Sequence, residues 1–187
     1  YSAGTEANKL VPATYEGNVT LGEYFYTADV LKLPSGTYTF NSTVTFVVNA
    51  SGANYTIDNA TNNPNLVFKG HVTLQQTNGT LIWTKGTGTI TLAGTSAQTA
   101  DFLGKTVEDI NITNTSADVS ITNDVTCDSL SASDNASIKV TAGKTITTDD
   151  ISGIGGSSGN LVTLRSVTDA SQWYLNVSGT PIVSYVD

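Results

Sequence analysis

From Gly86 to Asp187 the chain is a succession of short segments in which apolar and polar residues alternate, separated by Gly, Asn, Asp or Ser. A period of two buries one face of a segment and leaves the other in water, which is typical of a β-strand. The best candidate for a helix is the stretch from Ser96 to Leu103, and it is short. The pattern therefore predicts an all-β chain, with strands at Thr89–Leu92, Ile110–Ile112, Val119–Ile121, Ile138–Val140, Val162–Leu164, Trp173–Val177 and Ile182–Val186.

Corresponding strands in the second half of the chain recur at intervals of about 20 to 24 residues, a repeat that holds about three short strands. Such a repeat is typical of a β-solenoid, in which each coil stacks on the previous one about 4.8 Å away. The sequence predicts a single-stranded parallel β-helix on this basis. The pairs that suggest the repeat are Leu92 with Ile112, Val140 with Val162 and, more loosely, Ile121 with Ile138.

An antiparallel β-sandwich or jelly roll is the main alternative fold, because it also has short strands with frequent turns. Tight hairpins in such folds favour Asn-Gly or Asp-Gly dipeptides. This chain has one, Asn78-Gly79. The scarcity of hairpin signals favours parallel coils, which do not need them.

The length of 187 residues suits one domain with two zones of different texture. Residues 1–35 are irregular, with Pro12, Pro34 and an aromatic cluster at residues 24–26, and we interpret them as an N-terminal arm or cap. Residues 36–187 carry regular strands and form the predicted solenoid. The strands predicted within residues 36–85 are longer than those that follow, and they include separate strands at 44–48, 55–57, 72–74 and 81–83.

Composition narrows the classes of partner. The chain has 31 Thr and 18 Ser, while charged residues make up 13%, about half the usual share. Its formal net charge is −8 and Arg165 is its one arginine, so the clustered cations that bind phosphates are missing. Nucleic acid is therefore not an expected partner. Membrane insertion is not expected either, since no apolar run approaches the roughly 20 residues of a spanning helix.

Two features predict an extracellular location. The chain starts at Tyr1 and contains no Met, as expected of a mature protein whose signal peptide has been removed, although an excised domain would look the same. Ten of its 16 Asn residues lie in Asn-x-Ser/Thr sequons, an excess over chance that predicts glycosylation at some of them. The candidates are Asn18, Asn41, Asn49, Asn54, Asn59, Asn78, Asn111, Asn114, Asn135 and Asn176.

Strand alternation places some of these amides on the outer face, as for Asn111 and Asn176, which each lie between two apolar residues of a predicted strand. Asn and Thr also suit the wet face of any β protein, so sequons arise without sugar. The one cysteine, Cys127, has no intramolecular disulfide partner, and its apolar segment predicts a small buried side chain.

About the last hundred residues contain five segments with a distinctive order of Gly, Trp and Val-Ser-Tyr: Gly88–Gly94, Phe102–Val107, Gly159–Ser166, Gln172–Gly179 and Val183–Asp187. In these segments the chain resembles secreted microbial right-handed parallel β-helix proteins. The resemblance implies an extracellular β-helix with a right-handed coil and no particular activity.

The last coil of a solenoid exposes strand edges and an apolar interior unless something caps it. The sequence after Ile182 supplies no such cap, so we expect this end to dock on another subunit or to belong to a longer chain. Head-to-tail contact with the N-terminal zone would produce a filament. The candidate assembly residues are Ile182, Val183, Tyr185 and Val186.

Catalytic and metal-binding groups are sparse. Sugar hydrolysis needs convergent carboxylates, for which Asp149 with Asp150 is the best pair, and the one histidine, His71, lies far upstream of them. A zinc site is not expected from one His and one Cys. No cofactor is predicted, while calcium remains compatible with acids spaced along the coils, namely Asp118, Asp124, Asp128 and Asp134.

Two functions follow from these observations. The first is a non-enzymatic extracellular structural protein, a subunit of a surface-associated or filamentous assembly built by end-to-end β-stacking and glycosylated at some sequons. The second is a carbohydrate-binding or carbohydrate-cleaving β-helix of the pectate-lyase type, with Tyr174 and Tyr185 as platforms for a polysaccharide. The sequence favours the structural function.

Overall fold

The computed structural model of the chain describes residues 10–23, 29–151 and 153–179. These residues form strands and turns, and no helix occurs among them. The strands are β1 (Thr14–Tyr15), β2 (Val19–Glu23), β3 (Asp29–Lys32), β4 (Thr37–Phe40), β5 (Val44–Asp58), β6 (Asn65–Phe68), β7 (Val72–Thr84), β8 (Thr89–Leu92), β9 (Gln98–Asp101), β10 (Asp109–Ile112), β11 (Asp118–Ile121), β12 (Val125–Ala132), β13 (Ser137–Val140), β14 (Thr145–Asp150), β15 (Thr163–Ser166) and β16 (Tyr174–Val177).

The strands build two sheets, and every pairing between named strands is parallel. The first sheet has the order β1-β4-β6-β8-β10-β12-β14-β16 and the second the order β15-β13-β11-β9-β7-β5-β2, with β3 also paired to β5. Each strand therefore pairs with the strand that occupies the same place one coil away. This is the architecture of a parallel β-helix, which confirms the predicted fold class and makes the antiparallel alternative wrong. The right hand of the coil stays a prediction.

Two strands in the first half are longer than the sequence suggested. Residues 44–48 and 55–57 looked like separate strands, but β5 runs continuously through both, and β7 runs beside it. The register between β5 and β7 shifts between Val48 and Asn54. Such an irregularity bends the pair without breaking it. As a result, β2 and β3 both pair with β5, one at each end.

The coil length changes along the molecule. Thr37 of β4 pairs with Asn65 of β6, whereas Thr89 of β8 pairs with Asp109 of β10. The coil that begins at β8 therefore contains fewer residues than the coil that begins at β4. We call the coils formed by β4–β7 the long coils and those formed by β8–β13 the short coils. The predicted repeat length therefore fits the short coils, but each of them holds two strands and not about three.

Of the three pairs from which the repeat was inferred, one has the correct register. Ile112 pairs with Leu92 as predicted. Ile121 pairs with Val140 and not with Ile138, and the partner of Val140 one coil later is Ser166 and not Val162. Both errors are slips by an even number of residues, which keep the same side chains inside.

The core is the interior of the coil, where inward residues of successive strands stack. In the long coils it is aromatic, and the rings of Tyr15, Phe40 and Phe68 stack with centroid distances of 5.3 and 5.4 Å. Phe46 and Trp83 meet edge to face at 5.5 Å. In the short coils the inward strand residues are mostly aliphatic, such as fully buried Ile90, Ile112 and Ile138, and Phe102 beside β9 is buried as well.

The described part of the predicted N-terminal arm belongs to the same two sheets. β1 pairs with β4 and β2 pairs with β5, so residues 10–23 and 29–33 form the first coil. Leu21, Leu31 and Leu33 of this coil have no exposed surface. The aromatic cluster at residues 24–26 lies outside the described residues. Among those that are described, no helix has the length and apolar character needed to cross a bilayer.

Candidate functional site

The C-terminal end of the solenoid has an incompletely covered apolar interior. Trp173, Leu175 and Val177, in and beside β16, pack against the core but stay partly exposed, as does Leu164 of β15. Equivalent inward residues of the short coils, such as Ile138, have no exposed surface. In the part of the chain that the structure describes, β15 and β16 are each paired on one side. This end, which we call the open end, therefore combines apolar surface with strand edges.

Backbone hydrogen bonds fix which amides face outward at the open end. The N–H groups of Thr163 and Val167 donate to the carbonyls of Ala136 and Val140 at 2.9 and 2.8 Å, toward β13. Because successive amides of a strand point to opposite sides, the N–H of Ser166 points to the open side of β15. The open edge thus presents backbone donors of the kind that another parallel strand would use.

The sequence-predicted assembly residues cannot be placed at this end. Ile182, Val183, Tyr185 and Val186 lie outside the described residues, which stop at residue 179. The open end is formed by other residues, which the sequence analysis named only as strand positions.

The structure separates the ten sequons by exposure. Five asparagines are exposed and three are half-buried, whereas Asn59 and Asn114 have no exposed surface, so a glycan on either would have no room in this fold. At the other positions glycosylation stays a prediction. The exposed ones are Asn18, Asn54, Asn78, Asn135 and Asn176, and the half-buried ones are Asn41, Asn49 and Asn111.

Asn114 has a structural role that the sequence analysis missed. Its Nδ2 donates to the carbonyl of Ser96 at 2.8 Å and to Oε1 of buried Gln98 at 3.1 Å. Its Oδ1 accepts from the backbone amides of Ser116 and Ala117. Asn59, by contrast, has no hydrogen-bond partner for its side-chain amide among the described residues. The Asn-x-Ser/Thr pattern alone does not distinguish such turn positions from outward strand positions.

The predicted acidic residues are distributed along the coils, and most have a partner on a neighbouring coil. Asp118 binds Lys139 Nζ at 2.7 Å and accepts from Ser137 Oγ at 2.6 Å. Asp128 pairs with Lys85. The other contacts are those of Asp124 with Lys144 Nζ and the Thr145 amide, of Asp134 with Ser157 Oγ, and of Asp149 with Ser178 Oγ.

These ion pairs and hydrogen bonds join residues of different coils. The hydrogen bonds from Lys139 and Ser137 lower the pKa of Asp118 below its usual value. In the described residues no three His, Cys, Asp or Glu side chains lie close enough together to hold a metal ion. The acids therefore connect different coils through ion pairs and hydrogen bonds.

Cys127 is buried, as its apolar segment predicted. It is 1% exposed within β12, and burial raises the pKa of its thiol to about 11. A thiol in that state is a poor nucleophile at neutral pH because little thiolate forms. Cys127 thus acts as a small core residue.

Comparison with known proteins identifies no relative for this chain. No protein-family model matches it, and searches of curated proteins and of solved structures found no significant similarity. The fold and its surface are therefore the basis for a functional proposal.

Proposed function

We propose that the protein is a non-enzymatic extracellular structural protein that assembles end to end by β-stacking. The observation that carries the proposal is the open end, where partly exposed Leu164, Leu175 and Val177 lie beside the edges of β15 and β16. A strand edge with apolar surface beside it favours pairing with another chain. The partner we propose is a second copy of the protein.

The opposite end of the solenoid offers a compatible surface. β1, β2 and β3 are also paired on one side within the described residues, and their strands run parallel to those of the open end. Contact between the two different ends would be head to tail. Such a contact repeats without closing, so its product is a filament or a surface-attached array.

The outer surface supports a structural function outside the cell. One outward row of the first sheet consists of Thr39, Val67, Thr91, Asn111 and Ser131, which the register aligns on successive strands. Neutral hydroxyl and amide groups keep this face hydrated with little charge. The exposed sequons on the same surface are sites where glycans could extend the hydrated layer.

The experiment compares Ser166→Pro with Ser166→Ala. Proline removes the outward N–H of β15 while the bonds from Thr163 and Val167 to β13 stay in place, and alanine keeps that N–H. We expect concentration-dependent association of the unmodified chain by light scattering coupled to size exclusion. The proline variant should associate about tenfold more weakly, in line with the loss of one edge hydrogen bond and the clash of the ring with an incoming strand.

Circular dichroism would show that both variants keep the β-helix. Fibres or arrays in negative-stain images of the unmodified chain would support the proposal. A monomer at all concentrations up to about 100 μM, roughly where a weak edge contact becomes measurable, would contradict it. Equal association of the proline and alanine variants would contradict the assignment of the contact to β15.

A further inference from the structure

A groove of about 520 Å³ lies on the lateral surface, at the corner where the first sheet turns into the second. It crosses three successive coils and is far from the open end, with β11 and β13 between β9 and β15 in the second sheet. Three coils are separated by two strand spacings, which correspond to roughly 10 Å. The residues that line it are Asn41, Ser42, Thr43, Lys69, Gly70, His71, Ala93, Thr95, Ser96 and Ala97.

The groove arises from a change in turn length. The turns between β4 and β5 and between β6 and β7 have three residues each, 41–43 and 69–71. The next turn in the stack, between β8 and β9, has five, residues 93–97. The five-residue turn lines one side of the groove as a wall, and the two three-residue turns line the rest.

A buried amide network holds the longer turn in place. Gln98, 2% exposed, donates from Nε2 to the carbonyls of Phe68 and Gly70 at 2.9 Å, and its Oε1 accepts from the Gly94 amide at 2.7 Å. Asn114 joins this network through Ser96 and Gln98. The wall is therefore fixed to the coils on both sides, and a ligand would not need to order it.

The lining differs in charge from the rest of the molecule. Its ionisable side chains are Lys69 and His71, in a chain with a formal net charge of −8. His71 Nδ1 accepts from the Thr99 amide at 3.0 Å, which leaves Nε2 as the hydrogen-bond donor of the ring. The nearby carboxylate of Glu16 is held by Asn41 Nδ2 at 2.8 Å.

Hydroxyl groups make up most of the remaining polar lining. They belong to Ser42, Thr43, Thr95 and Ser96. Hydroxyls both donate and accept, which suits a ligand that is itself rich in hydroxyls. The volume lies within the range of about 300–1,000 Å³ that small-molecule sites occupy.

We propose that this groove binds an anionic saccharide, whose acid group contacts Lys69 and His71 and whose hydroxyls contact the Ser and Thr side chains. The acid group is a carboxylate or a sulfate, because both accept charge-assisted hydrogen bonds from an ammonium group. This site is independent of the open end, so it would operate in a single copy or in an assembly.

The experiment is a titration followed by backbone amide NMR at constant ionic strength. Its probes are D-glucuronate, glucose 6-sulfate, uncharged D-glucose and acetate. We expect shifts at residues 69–71 and 95–97 with glucuronate or glucose 6-sulfate, and about tenfold weaker binding of glucose and of acetate, because each lacks half of the recognised chemistry. Whichever anionic sugar binds more tightly identifies the acid group.

The matched variants are Lys69→Gln and Lys105→Gln, which change the net charge equally. Lys105 does not line the groove. Lys69→Gln should weaken binding about tenfold or more, as expected for a hydrogen bond to a charged group, and Lys105→Gln should leave it unchanged. Equal binding of glucose and glucuronate would overturn the role of charge. If acetate bound as tightly as the anionic sugars, the proposal that the ligand is a saccharide would be wrong. If neither anionic sugar caused a shift, the proposal that the groove is a binding site would be wrong.

Discussion

The long coils and the short coils belong to one solenoid, but different side chains fill their interiors. One inward row of the first sheet passes through both regions and becomes smaller along the chain. In register, it consists of Tyr15, Phe40, Phe68, Leu92, Ile112 and Ala132. The sequence separation between neighbours in this row is larger among the three aromatic members than among the aliphatic ones. Coil length and interior volume therefore decrease together.

The physical reason is that stacking fixes one dimension of the interior. Parallel strands lie about 4.8 Å apart whatever their sequence, so each coil supplies a layer of constant thickness. Only the area of the layer can vary, and close packing requires its side chains to match that area. Along the row from Tyr15 to Ala132, the coils that take more residues carry the larger side chains.

The largest expected effect is that of Phe46→Ala in the long coils. Phe46 is fully buried and packs edge to face on Trp83, so its removal leaves a large cavity that strand stacking prevents from closing. We expect a loss of about 3–5 kcal/mol in the free energy of unfolding. Urea denaturation followed by tryptophan fluorescence measures it.

Ile138→Ala in β13 is the matched substitution in the short coils. Ile138 is also fully buried, and its smaller side chain should cost about 2–4 kcal/mol. A cost at Ile138 equal to or above that at Phe46 would contradict the idea that aromatic volume supports the long coils specifically.

A smaller effect is expected for Gln98→Ala, at the boundary between the two regions. The substitution leaves the Gly94 amide and the Phe68 carbonyl without their buried partner. We expect a loss of about 1–3 kcal/mol, and faster hydrogen exchange confined to the turn at residues 93–97. Asn62→Ala is a control, since Asn62 makes one cross-coil hydrogen bond, to the Leu33 carbonyl. Equal exchange at residues 93–97 in the two variants would show that Gln98 does not hold that turn.

The smallest effect is that of Asp118→Asn in the short coils. Hydrogen bonds from Lys139 and Ser137 lower the pKa of Asp118, so ionised Asp118 stabilises the fold above its usual pKa of 3.8 and this contribution is lost as pH falls through the lower folded value. Because its side chain is 42% exposed, solvent screening limits the contribution to less than about 1 kcal/mol. Unfolding at pH 7 and pH 2.5 measures it. A difference between variant and unmodified chain that persists at the lower pH would contradict this origin.

Sequence reasoning predicted the strands better than their register. Alternation assigned Ile110–Ile112 and Ile138–Val140 correctly because inward and outward residues differ in polarity. It wrongly chose Val162 as the partner of Val140 in place of Ser166, because both choices put the same face inside. The turn lengths that decide between them depend on contacts between coils, which no local pattern contains.

The same limit applies to the candidate sites. Alternation identified Asn176 as outward because it lies within a strand, and the structure places it on the surface. Asn59 and Asn114 lie in turns, where alternation does not apply, and both are buried. The groove depends on turns that lie a full coil or more apart in the sequence, so its lining could be recognised only after the coils were stacked.

The turns at the corner between the two sheets have a consequence for how the sequence of such a molecule can change. Turns of three and five residues follow one another in one corner while the strands on either side keep their pairing. Residues can thus be added or removed at a corner with little loss in the stability of the stacked coils, because the entropy cost of closing a loop rises slowly with its length. New clefts can arise by insertion alone, so the shape of the surface can change while the stacked strands beneath it stay the same.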